Sequence, residues 1–273
     1  MPTPSAQEPR LREFTVVTAP GAHLQCYDSG GPGPVVVILH GLAGSAREFF
    51  PTAAALPEFR TVLLDLRGHG GSTRCPPDLS LEAFVTDVVR VIEEEAAGPV
   101  VLVGQSMGGH TAMLTAAARP DLVNRLVLLE VDAGGGDPAD LAALGDYFAS
   151  WPASFTSRKA ALDVFGDGAL AYAWAADLEP YGDGFRPRLD AAVMAAAAAG
   201  LGKTRWTEWE SLRIPVLAVY GGKGMFRPHA KDEFVQRGRQ VSRVDLPSAS
   251  HDAHLDAFEE WVHALRSFLD PAG

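Results

Sequence analysis

The stretch Val100-Val101-Leu102-Val103-Gly104-Gln105-Ser106-Met107-Gly108-Gly109 joins an apolar run to a Gly-x-Ser-x-Gly pattern, and the helix-forming residues 111–118 follow directly. An apolar run of this length is typical of a parallel strand that is buried on both faces. The chain is therefore predicted to pass from a buried strand through a tight turn into a helix. Ser106 stands alone at that turn, between glycines that have no side chain to collide with the crossing backbone.

The predicted turn makes Ser106 the candidate nucleophile. A turn this tight strains the backbone, and strained residues cluster at sites of chemistry. Ser106 also precedes a helix N-terminus, which carries a partial positive charge. The first free N–H of that helix belongs to Met107, and we expect it to stabilise a developing oxyanion.

Apolar runs alternate with helical patterns along most of the chain. An antiparallel pair is predicted near 14–18 and 23–27. Further strands are predicted near 35–39, 61–66, 100–105, 126–132, 214–220 and 242–246. The pattern between these strands is helical, as in the segment that begins after Ser80. This alternation predicts an α/β protein with a mostly parallel, doubly wound sheet and right-handed crossovers.

The pattern changes between residues 137 and 211, which are helical in periodicity and rich in aromatic residues. We predict a core formed by residues 1–136 and 212–273, with residues 137–211 inserted as a helical cap. Most aromatic side chains of the cap should form its own small core. Some should line a pocket, because small-molecule pockets have apolar walls. The candidate substrate-binding residues outside the sheet are Tyr147, Trp151, Trp174 and Met225.

Composition limits the classes of partner. The 273 residues are 47% hydrophobic, which is enough for one large domain or a core with an insertion. A formal net charge of −11 argues against nucleic acid or an anionic membrane as a partner. No signal peptide or membrane span is predicted, so we expect a cytoplasmic protein, a monomer or homodimer, that acts on a small molecule. Cys26 and Cys75 lack metal-like spacing, and neither a metal nor a cofactor is predicted.

A serine nucleophile needs an imidazole to take its proton, and the imidazole needs a carboxylate to fix its tautomer. His251 and His254 both follow the last predicted strand, at the sheet edge where open parallel sheets bind ligands. We prefer His251, which lies in the loop directly after that strand, and interpret His254 as a packing residue at a helix entry. The glycine-rich loop 67–72, which contains His69, is interpreted as a surface turn without chemistry.

From about residue 14 to residue 269, the chain resembles the α/β-hydrolase family. The matching pieces are His40-Gly41-Leu42 after the third strand, the turn at Ser106, and Ser250-His251-Asp252 after the last strand. Together they are specific, because this fold uses the order nucleophile, acid, histidine.

The resemblance implies a role for each matching residue. Ser106 would be the nucleophile, with His251 as general base and the N–H groups of Leu42 and Met107 as oxyanion donors. His40 would brace the oxyanion loop without transferring a proton. His40 and Gly41 complete the candidate substrate-binding residues.

The chain departs from the family pattern at the acid. Most members carry an aspartate in the loop after the strand near 214–220, where this chain has Gly221-Gly222-Lys223-Gly224. Haloalkane dehalogenases resemble this chain in the position of the acid, because they carry a glutamate at the end of the strand after the nucleophile helix. Their nucleophile, however, is an aspartate. Glu130 stands at that position and is our candidate acid. Asp132 is the alternative.

These residues predict a serine hydrolase that cleaves an ester, lactone or thioester of a small apolar substrate through an acyl-enzyme. The same triad on the same fold also serves carbon–carbon bond hydrolases and cofactor-free lyases or peroxidases. A third alternative is a ligand receptor that retains the fold. Labelling by a fluorophosphonate separates a working nucleophile from an inert one.

Overall fold

The computed structural model describes residues 11–19 and 21–270. Its strands are β1 (Arg12–Ala19), β2 (Ala22–Asp28), β3 (Val35–Leu39), β4 (Arg60–Leu64), β5 (Val100–Gln105), β6 (Val123–Leu129), β7 (Glu179–Tyr181), β8 (Gly184–Arg186), β9 (Val216–Gly221) and β10 (Val241–Leu246). Its α-helices are α1 (Phe50–Ala54), α2 (Leu81–Glu95), α3 (Met107–Ala118), α4 (Pro138–Ala149), α5 (Arg158–Phe165), α6 (Ala169–Asp177), α7 (Ala191–Ala199), α8 (Trp206–Ser211), α9 (Pro228–Arg237), α10 (Ala253–Asp256) and α11 (Phe258–Leu269). Short 3-10 helices cover Ala46–Phe49 and Gly200–Gly202.

Eight strands form one sheet in the order β1-β2-β4-β3-β5-β6-β9-β10. The pairs that involve β1 and β2 are antiparallel, and all pairs from β4 to β10 are parallel. Every residue of β5 is buried, as its apolar sequence predicts. The predicted mostly parallel α/β sheet is confirmed, and β5 lies near its centre.

Each face of the sheet is covered by its own apolar layer. Val37 and Leu102 pack with residues of α2 and α3 on one face. Val36 and Val103 pack with residues of α11 on the other. Successive strand residues point to opposite faces, so one apolar run supplies both layers. Helices on both faces confirm the doubly wound arrangement.

The turn after β5 depends on its glycines. An added Cβ at Gly104 would lie 2.4 Å from the Gly108 carbonyl oxygen, and one at Gly108 would lie 2.3 Å from the carbonyl oxygen of His40. At Gly109 it would meet the Val131 side chain at 2.2 Å. These contacts confirm the predicted reason for the glycines: α3 crosses the strands too closely for any side chain.

Along the chain, helices α4 to α8 and the hairpin β7–β8 come after β6 and before β9, although β6 and β9 are neighbours in the sheet. Asp137 caps α4 and Asp190 caps α7, each by accepting backbone N–H bonds. The hairpin was not predicted, because strands of three residues are too short for a periodic pattern to show.

The prediction for loop 67–72 is wrong. His69 is 1% exposed and Ser72 is 6% exposed, so the loop is largely buried. Asp65 anchors it, because its carboxylate accepts the N–H groups of Ala46 and Gly71 at 2.8 Å each. The error arose because glycine richness indicates a turn but does not say what covers it.

Across residues 11–19 and 21–270, no helix is both long and apolar enough to cross a bilayer. Cys26 is buried and Cys75 is exposed, and both are free thiols.

Candidate active site

Three residues other than glycine have a positive φ in the described part of the chain: Ala43 at 60°, Ser106 at 51° and Glu130 at 56°. They follow β3, β5 and β6, which are neighbours in the sheet. A side chain in this backbone region costs about 1–3 kcal/mol, and such residues cluster at functional sites. The strain is therefore concentrated at the C-terminal edge of three adjacent central strands.

Ser106 is fixed at its turn by bonds on both sides. Its N–H donates to the Leu129 carbonyl at 2.9 Å, and its carbonyl accepts the His110 N–H at 3.0 Å. The preceding Gln105 donates through its side-chain amide to the carbonyl of His251 at 3.3 Å. This bond ties the residue before the serine to the backbone of the predicted base. Sequence reasoning missed Gln105, because an amide at a buried strand end carries no local signal.

Glu130 and His251 form a pair across the sheet edge. Nδ1 of His251 lies 3.2 Å from Oε2 of Glu130. The Glu130 side chain is fully buried, while that of His251 is 24% exposed. The carboxylate also accepts the N–H groups of Gly221 and Met225 at 2.8 Å each. Three donors thus hold the carboxylate in one orientation, beside an imidazole that is partly exposed to solvent.

Asp132, the alternative acid, is engaged elsewhere. Its Oδ1 accepts the N–H of Gly134 at 3.1 Å, within its own loop. Burial raises the pKa of Asp132. Of the two candidate acids, it is Glu130 that lies within hydrogen-bonding distance of His251.

The predicted oxyanion donors are both unengaged. Among the described residues, the N–H groups of Leu42 and Met107 donate to no protein acceptor. Nδ1 of His40 lies 2.7 Å from the Gly41 carbonyl oxygen, and Nε2 of His40 accepts the Leu66 N–H at 2.9 Å. Since the carbonyl can only accept, the proton is on Nδ1. Burial lowers the pKa of His40, so the ring is neutral.

Two of the three aromatic residues predicted to line a pocket pack near the loop that carries Leu42, a predicted oxyanion donor. Leu42 and Ala43 share an apolar cluster with Phe148, and Trp151 and Trp174 pack on it. The ring centroids of the two tryptophans are 5.0 Å apart. A further cluster, around Phe155 and Phe165, forms a small core within this segment, and Trp151 and Trp174 pack on it as well.

Two of the other predicted residues, Tyr147 and Met225, are more exposed. Tyr147 is 37% exposed and packs on Trp151 with a centroid distance of 5.7 Å. Met225 is 70% exposed, and its N–H rather than its side chain contacts Glu130. An added Cβ at Gly41 would lie 2.1 Å from Oε1 of Gln105, so a larger residue there would have to displace the Gln105 amide. His254 is buried and stacks on Phe49 at 4.2 Å, which agrees with a packing role.

Comparison with known proteins agrees with this architecture. A family model described as the alpha/beta hydrolase family matches residues 36–264. The chain belongs to the alpha/beta hydrolase family. Membership confirms the fold and the hydrolase class predicted from the sequence.

Two curated relatives cover most of the chain. It is 31% identical over 252 residues to an sn-1-specific diacylglycerol lipase, ABHD11, of Mus musculus, with 86% of this chain and 81% of the lipase aligned. It is 26% identical over 260 residues to a 2-(acetamidomethylene)succinate hydrolase of Mesorhizobium japonicum, with 88% and 89% aligned. A crystal structure of E-2-(acetamidomethylene)succinate hydrolase superposes with a TM-score of 0.87 at 24% identity, over 96% of this chain and 100% of that one, a likeness of fold.

Proposed function

We propose that this member of the alpha/beta hydrolase family is a serine hydrolase of carboxylic ester-like bonds, with Ser106, His251 and Glu130 as its catalytic triad. The observation that carries the proposal is the 3.2 Å contact between His251 and Glu130, which accompanies a strained serine on the neighbouring strand end. A similar chain, the lipase of Mus musculus, is named for ester cleavage. These features together favour an ester, lactone or thioester as the scissile group.

The first half of the reaction follows from the tautomer of His251. Glu130 accepts a hydrogen bond from the Nδ1–H of His251, and this tautomer leaves the lone pair of Nε2 to take the proton of the Ser106 hydroxyl. The serine oxygen then attacks the acyl carbonyl, and a negative charge develops on the carbonyl oxygen. Leu42 and Met107 supply N–H groups for this oxyanion, and α3 adds the positive end of its dipole.

The second half returns the enzyme to its starting state. The protonated His251 gives its proton to the leaving alcohol or thiol as the tetrahedral intermediate collapses to an acyl-enzyme on Ser106. Water then enters, loses a proton to His251, and attacks the acyl carbonyl. As this second tetrahedral intermediate collapses, the bond to Ser106 breaks, His251 returns the proton to the serine oxygen, and the carboxylic acid leaves. Glu130 stays ionised and stabilises the imidazolium in both halves.

We further propose that residues 137–211 form a cap over the site. Trp151 and Trp174 pack on the apolar cluster that includes Leu42 and Ala43, so they provide an apolar wall beside the predicted oxyanion loop. Such a wall favours a small, largely apolar substrate. The chain is proposed to need no cofactor, because the triad supplies the nucleophile, the base and the charge stabilisation.

A fluorophosphonate tests the nucleophile, and a substrate panel tests the bond. Intact-protein and peptide mass spectrometry should place one phosphonate on Ser106, and Ser106→Ala should take up none. The same variant should hydrolyse an activated aryl ester up to ~10⁶-fold more slowly, with its fold intact. An adduct on another serine, or a fully active alanine variant, overturns the assignment. A panel of esters, lactones, thioesters and vinylogous 1,5-diketones then separates ester cleavage from carbon–carbon cleavage.

A further inference from the structure

Loop 67–72 carries His69. Like His40, this is a buried histidine that contacts the oxyanion loop. Nε2 of His69 accepts the N–H of Ala43 at 3.1 Å, and its Nδ1 lies 2.9 Å from the Arg67 carbonyl oxygen. That carbonyl can only accept, so the proton of His69 is on Nδ1. The rings of His69 and His40 lie side by side, with centroids 5.1 Å apart. Two neutral imidazoles with the same tautomer therefore face the same short loop.

The two histidines hold consecutive peptide groups. His40 donates to the Gly41 carbonyl, which belongs to the same planar peptide as the Leu42 N–H. Because this peptide is trans, fixing its carbonyl also fixes the opposite direction of the Leu42 N–H. His69 accepts the N–H of the next peptide, that of Ala43. The backbone on both sides of Leu42 is therefore held by one imidazole each.

The Ala43 bond also explains why the strained backbone persists. Ala43 has φ 60°, a region that an alanine occupies only when its surroundings hold it there. The Ala43 N–H is engaged by His69, whereas the Leu42 N–H donates to no protein acceptor among the described residues.

The support for His69 extends away from the site. Arg67, whose carbonyl accepts from His69, makes a bidentate pair with the buried carboxylate of Asp87, with both N–O distances 2.7 Å. Its Nη1 also donates to the Asp78 carbonyl at 2.8 Å. A planar, bidentate pair fixes both partners strongly. The imidazole is thus anchored through Arg67 to α2, independently of the oxyanion loop.

We propose that His69 is a positioning residue of the oxyanion hole, which holds the Ala43 peptide so that the Leu42 N–H stays directed at the oxygen of the reacting acyl group. This inference rests on the proposed function, because it assigns a purpose to the loop beside Ser106. His69 acts through the backbone and does not touch the substrate.

Two amide substitutions separate the two bonds of His69. In His69→Asn the side-chain amide can still donate to the Arg67 carbonyl but is too short to accept from Ala43. In His69→Gln the longer amide places its oxygen at the reach of Nε2 and can accept the Ala43 N–H. His69→Leu removes both bonds with an apolar side chain that suits the buried position. Trp261→Phe is the control, since it removes a buried bond to Thr52 in a different apolar layer.

The rate of phosphonylation of Ser106 by a fluorophosphonate is the main readout, because the phosphoryl oxygen uses the same N–H donors. We expect His69→Asn and His69→Leu to react about 10- to 100-fold more slowly, with His69→Gln within a few-fold of the wild type. For an aryl ester, kcat should fall in parallel with little change in KM. Trp261→Phe should lower the melting temperature but retain the phosphonylation rate.

The outcomes distinguish a failure of the role proposed for His69 from a failure of the proposed function. If the wild type is labelled at Ser106 and the folded Asn and Leu variants react at the same rate, His69 does not position the oxyanion hole. The same conclusion follows if the Gln variant is folded but as slow as the Leu variant, because the lost acceptor is then not the cause. If the wild type takes up no phosphonate at Ser106, the proposed function itself fails, and this inference fails with it.

Discussion

Gly224 lies so close to Glu130 that an added Cβ at residue 224 would be 2.1 Å from Oε1 of the glutamate. Residue 224 belongs to the loop after β9, in which most α/β-hydrolases carry their acid. The glutamate from the end of β6 therefore fills the space that a side chain from this loop would need. Glycine at 224 and glutamate at 130 are therefore complementary in shape, and both differ from the usual family pattern.

Glu130→Gln should keep the shape of the site but remove the charge that stabilises the His251 imidazolium. We expect kcat for an activated ester to fall by as much as ~10⁴-fold, with little change in KM. Asp132→Asn is the matched control and should cost far less, because Asp132 bonds to its own loop. Steady-state kinetics of the two variants, compared at one pH, check the ranking. A larger effect at Asp132 would transfer the role of the acid to that residue.

Moving the acid back to the loop after β9 tests the complementarity directly. Gly224→Asp alone should inactivate the enzyme, because its side chain collides with Glu130. Glu130→Gly removes the obstacle and suits the φ of 56° at that position. In that background, Gly224→Asp should raise kcat at least about 10-fold above the Glu130→Gly single variant, as the aspartate becomes a new partner for His251.

Residue 224 has no positive φ, so an aspartate is allowed there. Circular dichroism on each variant separates a misfolded protein from a folded but inactive one. A folded double variant with no gain would mean that a carboxylate at 224 does not reach His251. The role of Glu130 would then rest on the comparison with Asp132 alone.

The sheet and the strained turn at Ser106 were predictable because their signals are local. The apolar run of β5 and the glycines around Ser106 report burial and close backbone approach within ten residues. The position of Glu130 followed from the resemblance to dehalogenases, since no periodicity distinguishes it from Asp132.

The bond from His69 to Ala43 joins residues 26 apart in sequence. Nothing in a glycine-rich loop indicates which backbone N–H its histidine will meet after folding, so the burial of loop 67–72 was missed. The contact of Gln105 with His251 spans 146 residues and was missed for the same reason.

The aromatic wall on the oxyanion loop predicts a preference for apolar substrates. Each methylene buried against it should contribute up to about 0.8 kcal/mol, or roughly a fourfold rise in kcat/KM. We expect kcat/KM for aryl esters to rise from acetate through butyrate and hexanoate. Trp174→Ala should flatten the series, because Trp174 packs on the cluster that contains Leu42 and Ala43.

Tyr172→Ala provides the control for this series, since Tyr172 lies on the same helix and is 56% exposed. It should leave the dependence on chain length unchanged. A flat series in the wild type would mean that the tryptophans pack only among themselves.

Glu48 predicts a specific dependence of stability on pH. It is buried, and Oε2 lies 3.4 Å from Nε2 of the buried His254. Burial raises the pKa of Glu48 to about 8 and lowers the pKa of His254 to about 4. We therefore expect the pair, near neutral pH, to be a protonated carboxyl that donates to a neutral imidazole rather than an ion pair.

Because the pKa of Glu48 is higher in the folded state than its ordinary value of 4.5, the folded state binds the proton more tightly. The resulting stability is fully present below pH 4.5 and is lost as pH rises toward about 8. From pH 6 to 8 this single proton changes the free energy of unfolding by at most about 1.4 kcal/mol per pH unit. The pKa values of Asp65 and Asp177 are raised to about 6, so these carboxyls change the free energy of unfolding mainly below pH 6.

Glu48→Gln keeps a neutral donor for His254 but cannot ionise. We expect its melting temperature to match that of the wild type at pH 6 to within a few degrees and to exceed it increasingly up to pH 8. The exposed Glu259→Gln is the control and should follow the wild type at every pH. Thermal denaturation of the three proteins from pH 6 to pH 9 gives the comparison. Parallel curves for Glu48→Gln and the wild type would mean that the Glu48 carboxyl does not change its ionisation in this range and is held as an ion pair with a charged His254.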